Sequence, residues 1–124
     1  MRIIRFKDDR GDIHHGIPQE GFKQADILSG DLLAGSLTPT GKIVEVAQLL
    51  APVVPVNLLC IGANYAAHAK EFGRDLPEKP ILFMKNTSSL NHPGQPVCIP
   101  RCQMRGPEVD YEAELAVVIG KAAK

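Results

Sequence analysis

The sequence contains no apolar stretch near the roughly 20 residues that a membrane-spanning helix requires. Its first residues, Met1-Arg2-Ile3-Ile4-Arg5, run into charge instead of an apolar leader core. A spanning segment and a secretory leader are therefore both unexpected, and the expected compartment is the cytoplasm. An excess of charge is also missing: 14 basic residues balance 14 acidic ones, giving a formal net charge of zero, with no basic run longer than a pair. Nucleic acid and membrane are thereby excluded as expected partners, and the near-neutral balance favours self-association slightly. Cysteine is scarce. Cys60, Cys98 and Cys102 are odd in number and form no C-x-x-C pair, which argues against both a disulfide framework and a zinc site. They read as reduced thiols, buried or incidental. Internal repeats, low-complexity tracts, a glycine-rich phosphate loop and a G-x-S-x-G elbow are absent as well, which weakens nucleotide-binding and serine-hydrolase readings.

What is present centres on the stretch Val109-Asp110-Tyr111-Glu112-Ala113-Glu114-Leu115-Ala116-Val117-Val118-Ile119-Gly120. Leu115 to Ile119 is an unbroken, β-branched apolar run, the composition expected of a buried strand. In a strand, residues i and i+2 share a side, so Glu112 and Glu114 would offer two carboxylates to one pocket. Adjacent carboxylates repel, and burying an ionised one is costly, so the pair calls for a cation. Oxygen-only donors favour Mg²⁺, Mn²⁺ or Ca²⁺ over zinc, and Mg²⁺ often takes one or two carboxylates with water and substrate completing its shell. The alternative is a solvated strand end with two surface glutamates.

At 124 residues, 44% hydrophobic and 23% charged, the chain has the size and composition of an ordinary globular domain. Met1 to Lys7, the turn cluster Asp8-Asp9-Arg10-Gly11-Asp12 and Ile13 to Ile17 read as a hairpin at the edge of a small sheet. His14 and His15 would face opposite ways and read as surface histidines. Glu20 to Leu33 has weak helical spacing interrupted by Gly21 and Gly30, and Ile43 to Leu50 is readable as strand or short helix. Ala51-Pro52-Val53-Val54-Pro55 is extended by its prolines and marks a boundary, giving a small N-terminal domain over 1–50 and a second region over 51–124.

Beyond the boundary, Leu58 to Gly62 reads as a short buried strand. Ala63 to Gly73 reads as an alanine-rich helix with Asn64 near its N-cap and a glycine suited to the C-cap. His68 and Glu71 stand three apart on one helical face, so a carboxylate can orient an imidazole that draws a proton from water. The alternative is an exposed ion pair on a surface helix. Ile81 to Lys85 is a strand ending in a lysine, which either faces an anionic group or is solvated.

From about Leu49 to Lys121 the chain resembles the fumarylacetoacetate hydrolase family, in four ordered blocks. These are Leu49-Leu50-Ala51-Pro52-Val53, then Ile61 to Glu71, then Lys79 to Lys85, then Asp110 to Lys121. The N-terminal hairpin region also looks like the small leading domain of bacterial-type members. The resemblance implies an α+β, mostly β structure: a mixed β-sheet roll of that family, truncated, behind a small N-terminal hairpin domain, with two chains pairing as a homodimer. It implies that Glu112 and Glu114 are metal ligands, that His68 and Glu71 activate water, and that Lys85, Asn64 and Tyr65 contact substrate. The family's third metal ligand, an aspartate, lies downstream of these blocks. The implied activity is divalent-metal-dependent hydrolysis, isomerisation or decarboxylation of 2-oxo or 1,3-dicarbonyl acids through a stabilised enolate, as in aromatic catabolism. The alternative is a truncated, non-catalytic fragment or interaction module of such an enzyme.

Overall fold

The computed structural model describes residues 1–73, 75–103 and 109–122 and divides the chain into two units, Met1–Pro52 with His92–Lys124, and Val53–Asn91. The first unit is built on five antiparallel strands: β1 (Ile4–Lys7), β2 (Ile13–Pro18), β3 (Gln24–Ser29), β4 (Thr38–Glu45) and β5 (Gln48–Leu50). They lie in the order β4-β3-β2-β1-β5. The expected hairpin is present, with Phe6 opposite His14 and Lys7 opposite Ile13, but it lies inside the sheet and not at its edge, because β3 pairs with β2 and β5 with β1. The structure extends it to a sheet by turning the weakly helical 20–33 stretch into a single 3₁₀ turn at Glu20–Phe22 followed by β3. Gly21, at φ 76°, breaks any continuing helix there, and the cross-strand ladder to β2 decides the rest. The ambiguous 43–50 stretch likewise resolves into the end of β4 and β5.

Packing in this unit centres on Phe6, which is fully buried together with Ala25. The strands come this close because Gly16 lacks a side chain. A Cβ at Gly16 would lie 2.8 Å from the Asp26 carbonyl oxygen and 2.9 Å from the Phe6 ring. His14 and His15, expected at the surface, are both half-buried in the sheet. Past His92 the unit has a 3₁₀ turn at Arg101–Gln103 and, among the described residues, no strand. Leu115 to Ile119 is therefore not the expected buried strand: Leu115 is 83% exposed and Ile119 is 72% exposed. Its β-branched composition favours an extended backbone, but a strand also needs a ladder partner, and none of the seven strands pairs with it.

The second unit holds β6 (Leu58–Gly62), α1 (Ala66–Glu71) and β7 (Ile81–Lys85). β6 and β7 form a two-stranded antiparallel sheet in the register Leu58 to Lys85 through Gly62 to Ile81. Both strands stand where the sequence suggests. β6 is not buried, however, since Leu59 and Ile61 are exposed. Of the three cysteines, Cys60 is half-buried and Cys98 and Cys102 are exposed, all as free thiols. No helix among the described residues is long and apolar enough to cross a membrane.

The close approach at Gly16 generates a direct test. Gly16→Ala is expected to cost on the order of 1–3 kcal/mol through overpacking, read as a lower thermal unfolding midpoint by circular dichroism. An unchanged midpoint would contradict the packing described.

Candidate functional site

The candidate site is assembled from the strand–turn–helix that begins at β6. Beyond Gly62 the chain turns through Ala63, whose φ of 51° places an L-residue in the left-handed region. Such a conformation is sparsely populated outside glycine and is a form of backbone strain common at functional sites. Asn64 and Tyr65 follow, both exposed. Tyr65, one residue later than expected, is the N-cap, and its carbonyl accepts the Ala69 N–H at 3.0 Å. Alanines favour the helix, Ala69 is its buried residue, and Gly73 at φ 61° ends it with its N–H donating to the Lys70 carbonyl at 3.0 Å.

On this short helix the expected pair does meet. His68 Nδ1 lies 3.6 Å from Glu71 Oε2, and the Phe72 ring stands edge-on to the imidazole at 4.9 Å between centroids. One ring nitrogen therefore faces a carboxylate, and an aromatic ring packs edge-on against the imidazole. Both side chains are substantially exposed, so the pair contributes little to stability. Lys85 closes β7 opposite Leu58, at the end of the ladder away from Gly62. Its ammonium sits 6.0 Å from the centroid of the Phe83 ring. Glu112 and Glu114 belong to the other unit, in the stretch without a ladder, and both are exposed.

A cluster not singled out as a site in the sequence lies in the β1–β2 hairpin. Ligand atoms of Asp8, Asp12 and His14 all fall within 4.8 Å of one another. Asp8 is buried and its oxygens are already engaged: Oδ1 accepts the N–H groups of Arg10 at 3.0 Å and Asp12 at 2.9 Å, and Oδ2 lies 3.0 Å from His14 Nε2. His14 also packs against Phe6, with ring centroids 5.6 Å apart. This is a side-chain bracket that closes the hairpin turn, satisfying backbone donors that a tight turn leaves unpaired. The hydrogen bond from His14, followed by those from the Asp12 and Arg10 amides, holds the Asp8 carboxyl below its ordinary range against the opposing effect of burial. The only advance signal was an aspartate opening a glycine turn.

Comparison with known proteins gives the chain a family. Residues 57–124 match the family described as "Fumarylacetoacetate (FAA) hydrolase C-terminal". The chain belongs to the fumarylacetoacetate hydrolase family. Residues 1–52 match a second description, "Rv2993c-like, N-terminal". Protein Rv2993c of Mycobacterium tuberculosis is 37% identical over 129 aligned residues, covering 100% of this chain and 48% of that protein. An oxaloacetate tautomerase of Xenopus laevis, fahd2, is 47% identical over 78 residues, covering 62% of this chain and 24% of its own length. A solved structure from Mycobacterium abscessus superposes with a TM-score of 0.53 at 35% identity, over 72% of this chain and 34% of that one. The chain thus spans half or less of the length of these relatives. Within the region matched to the fumarylacetoacetate hydrolase family lie His68, Glu71, Lys85, Glu112 and Glu114, whereas the Asp8 bracket lies outside it.

The bracket makes the first unit acid-sensitive in a defined sense. Because the folded state lowers the Asp8 carboxyl, its contribution is complete above the ordinary carboxylate range and is lost as pH falls through the lowered value. Thermal midpoints measured between pH 6 and pH 2.5 should therefore fall more steeply for the parent chain than for Asp8→Asn. Parallel profiles would show that the bracket contributes nothing.

Proposed function

We propose that the chain carries the proton-transfer part of a divalent-metal-dependent enzyme of the fumarylacetoacetate hydrolase family that isomerises or hydrolyses 2-oxo or 1,3-dicarbonyl acids. The observation that carries this reading is the His68–Glu71 pair, held by Phe72 on a helix entered through a strained turn. Its similarity to an oxaloacetate tautomerase supports a small 2-oxo acid as substrate. Keto–enol interconversion of such an acid needs one group that takes a proton from C3 while the C2 oxygen gains one. The His68 imidazole takes the C3 proton, Glu71 beside Nδ1 steadies the imidazolium that results, and the imidazolium then gives that proton to the C2 oxygen, so that His68 ends neutral. In hydrolysis the same imidazole takes its proton from water. Lys85 meets the substrate carboxylate, and Asn64 and Tyr65 orient the substrate from the turn.

The donor chemistry of Glu112 and Glu114 fits a hard cation, since two carboxylates with water and substrate oxygens suffice for Mg²⁺ and also suit Mn²⁺ or Ca²⁺. Asp8, Asp12 and His14 do not fit the role, because the Asp8 oxygens are committed to the hairpin. The chemistry that a cation held by Glu112 and Glu114 supplies is Lewis acidity toward a carbonyl oxygen. Pairing of two chains belongs to the same reading. A second reading, a non-catalytic module of such an enzyme, is favoured by one observation: among the described residues the stretch bearing both glutamates forms no strand, and both glutamates are exposed.

The test is the chain-dependent rate of oxaloacetate enolisation with Mg²⁺, followed by ultraviolet absorbance. His68→Ala should lose about 100-fold or more, the usual worth of a positioned acid–base group, while Mg²⁺ binding by calorimetry is unchanged. An unaltered rate would remove His68 from the chemistry, and lost metal binding would give it a different role.

A further inference from the structure

Among the described residues, only Phe22 and Ala63 hold a left-handed backbone without being glycine. Phe22 lies in the 3₁₀ turn before β3, whereas Ala63 stands between β6 and α1. At seven other described positions the chain uses glycine for that conformation, among them Gly73 at the far end of α1. Ala63 departs from that usage although a glycine stands beside it. Gly62 is outside the left-handed region, and a Cβ there would meet Ile81 at 3.5 Å, an ordinary van der Waals contact. The pair Gly62-Ala63 thus puts a methyl group where it strains the backbone and a glycine where a methyl group would fit.

Within the positive-φ range that this turn demands, an L-residue is confined to a small basin, whereas glycine roams a wide one. The Ala63 methyl group therefore narrows the set of directions in which the chain can leave β6. That direction matters because α1 begins at Ala66, is six residues long and receives no side-chain cap from its N-cap residue Tyr65. So short a helix does not hold its place by propensity. Any spread in the turn is carried to His68 and Glu71, which the helix bears. We infer that Ala63 is a positioning residue: its methyl group holds the turn between β6 and α1 to one geometry and so fixes where the His68–Glu71 pair is presented. The inference rests on the catalytic reading of that pair and deepens it. Strain that is merely tolerated would be relieved by glycine with no loss of order. Strain that positions would be relieved at the expense of order.

The test compares the whole chain with Ala63→Gly and Ala63→Asn by backbone ¹⁵N relaxation. Asparagine keeps a Cβ and enters the left-handed region more readily than alanine, so it preserves the restriction with less strain. The parent and Ala63→Asn should show order parameters of about 0.85 over Asn64 to Glu71, and Ala63→Gly should fall below about 0.6 there, the values of rigid and flexible backbone. Order in β6 and β7 should be the same in all three, marking an intact ladder. In oxaloacetate enolisation with Mg²⁺, Ala63→Gly should lower kcat about tenfold or more with KM within about twofold, and Ala63→Asn should restore it, because a displaced acid–base group acts on the turnover step. A glycine variant as ordered as the parent would overturn the inference, as would an asparagine variant as mobile as the glycine one. So would a loss of order that leaves kcat unchanged, or a glycine variant that loses the ladder itself. An inactive parent chain with the stated relaxation pattern would contradict the catalytic reading while supporting control of the turn by Ala63.

Discussion

The β6–β7 ladder is the interaction on which the candidate site depends. Pairing Gly62 with Ile81 fixes where β6 ends, and so where the left-handed turn at Ala63 begins and where α1 starts. The helix is only six residues long, too short to hold itself together by propensity alone. Its imidazole–carboxylate pair is therefore only as well placed as the ladder that delivers it. Yet the ladder is two strands wide and apolar on the face of Leu59 and Met84.

The first unit is organised differently. There the strands are mutually satisfied around Phe6, and Gly16 lets them close on it. The Asp8 carboxylate is buried at low cost because two amides and an imidazole meet it. That arrangement brings together the residue types of a metal site while using their lone pairs for the fold, which is why proximity of ligands alone does not make a metal centre. The metal role is therefore proposed for Glu112 and Glu114, whose carboxylates are exposed.

Local features of the sequence were the legible ones. Short apolar runs bounded by turn residues located β2, β6 and β7, and alanine content with a closing glycine located α1. The His68–Glu71 pair followed from helical spacing alone, because i and i+3 meet whatever surrounds the helix. What depended on distant partners was not legible. β3 carries weak helical spacing, and only its ladders to β2 and β4 make it a strand. Leu115 to Ile119 shows the reverse: its composition is that of a strand, but composition supplies no ladder partner. Asp8 and His14 meet because the hairpin register sets His14 opposite Phe6, a relation that neither residue type announces.

The central proposal is that this chain holds part of a cation-dependent 2-oxo acid site, with Glu112 and Glu114 as its carboxylates. Calorimetric binding of oxalate, a planar mimic of a pyruvate enolate, tests it most directly. The account predicts binding that requires Mg²⁺ and is lost in Glu114→Gln. Oxalate binding that is equally tight without Mg²⁺, or in Glu114→Gln, would contradict it.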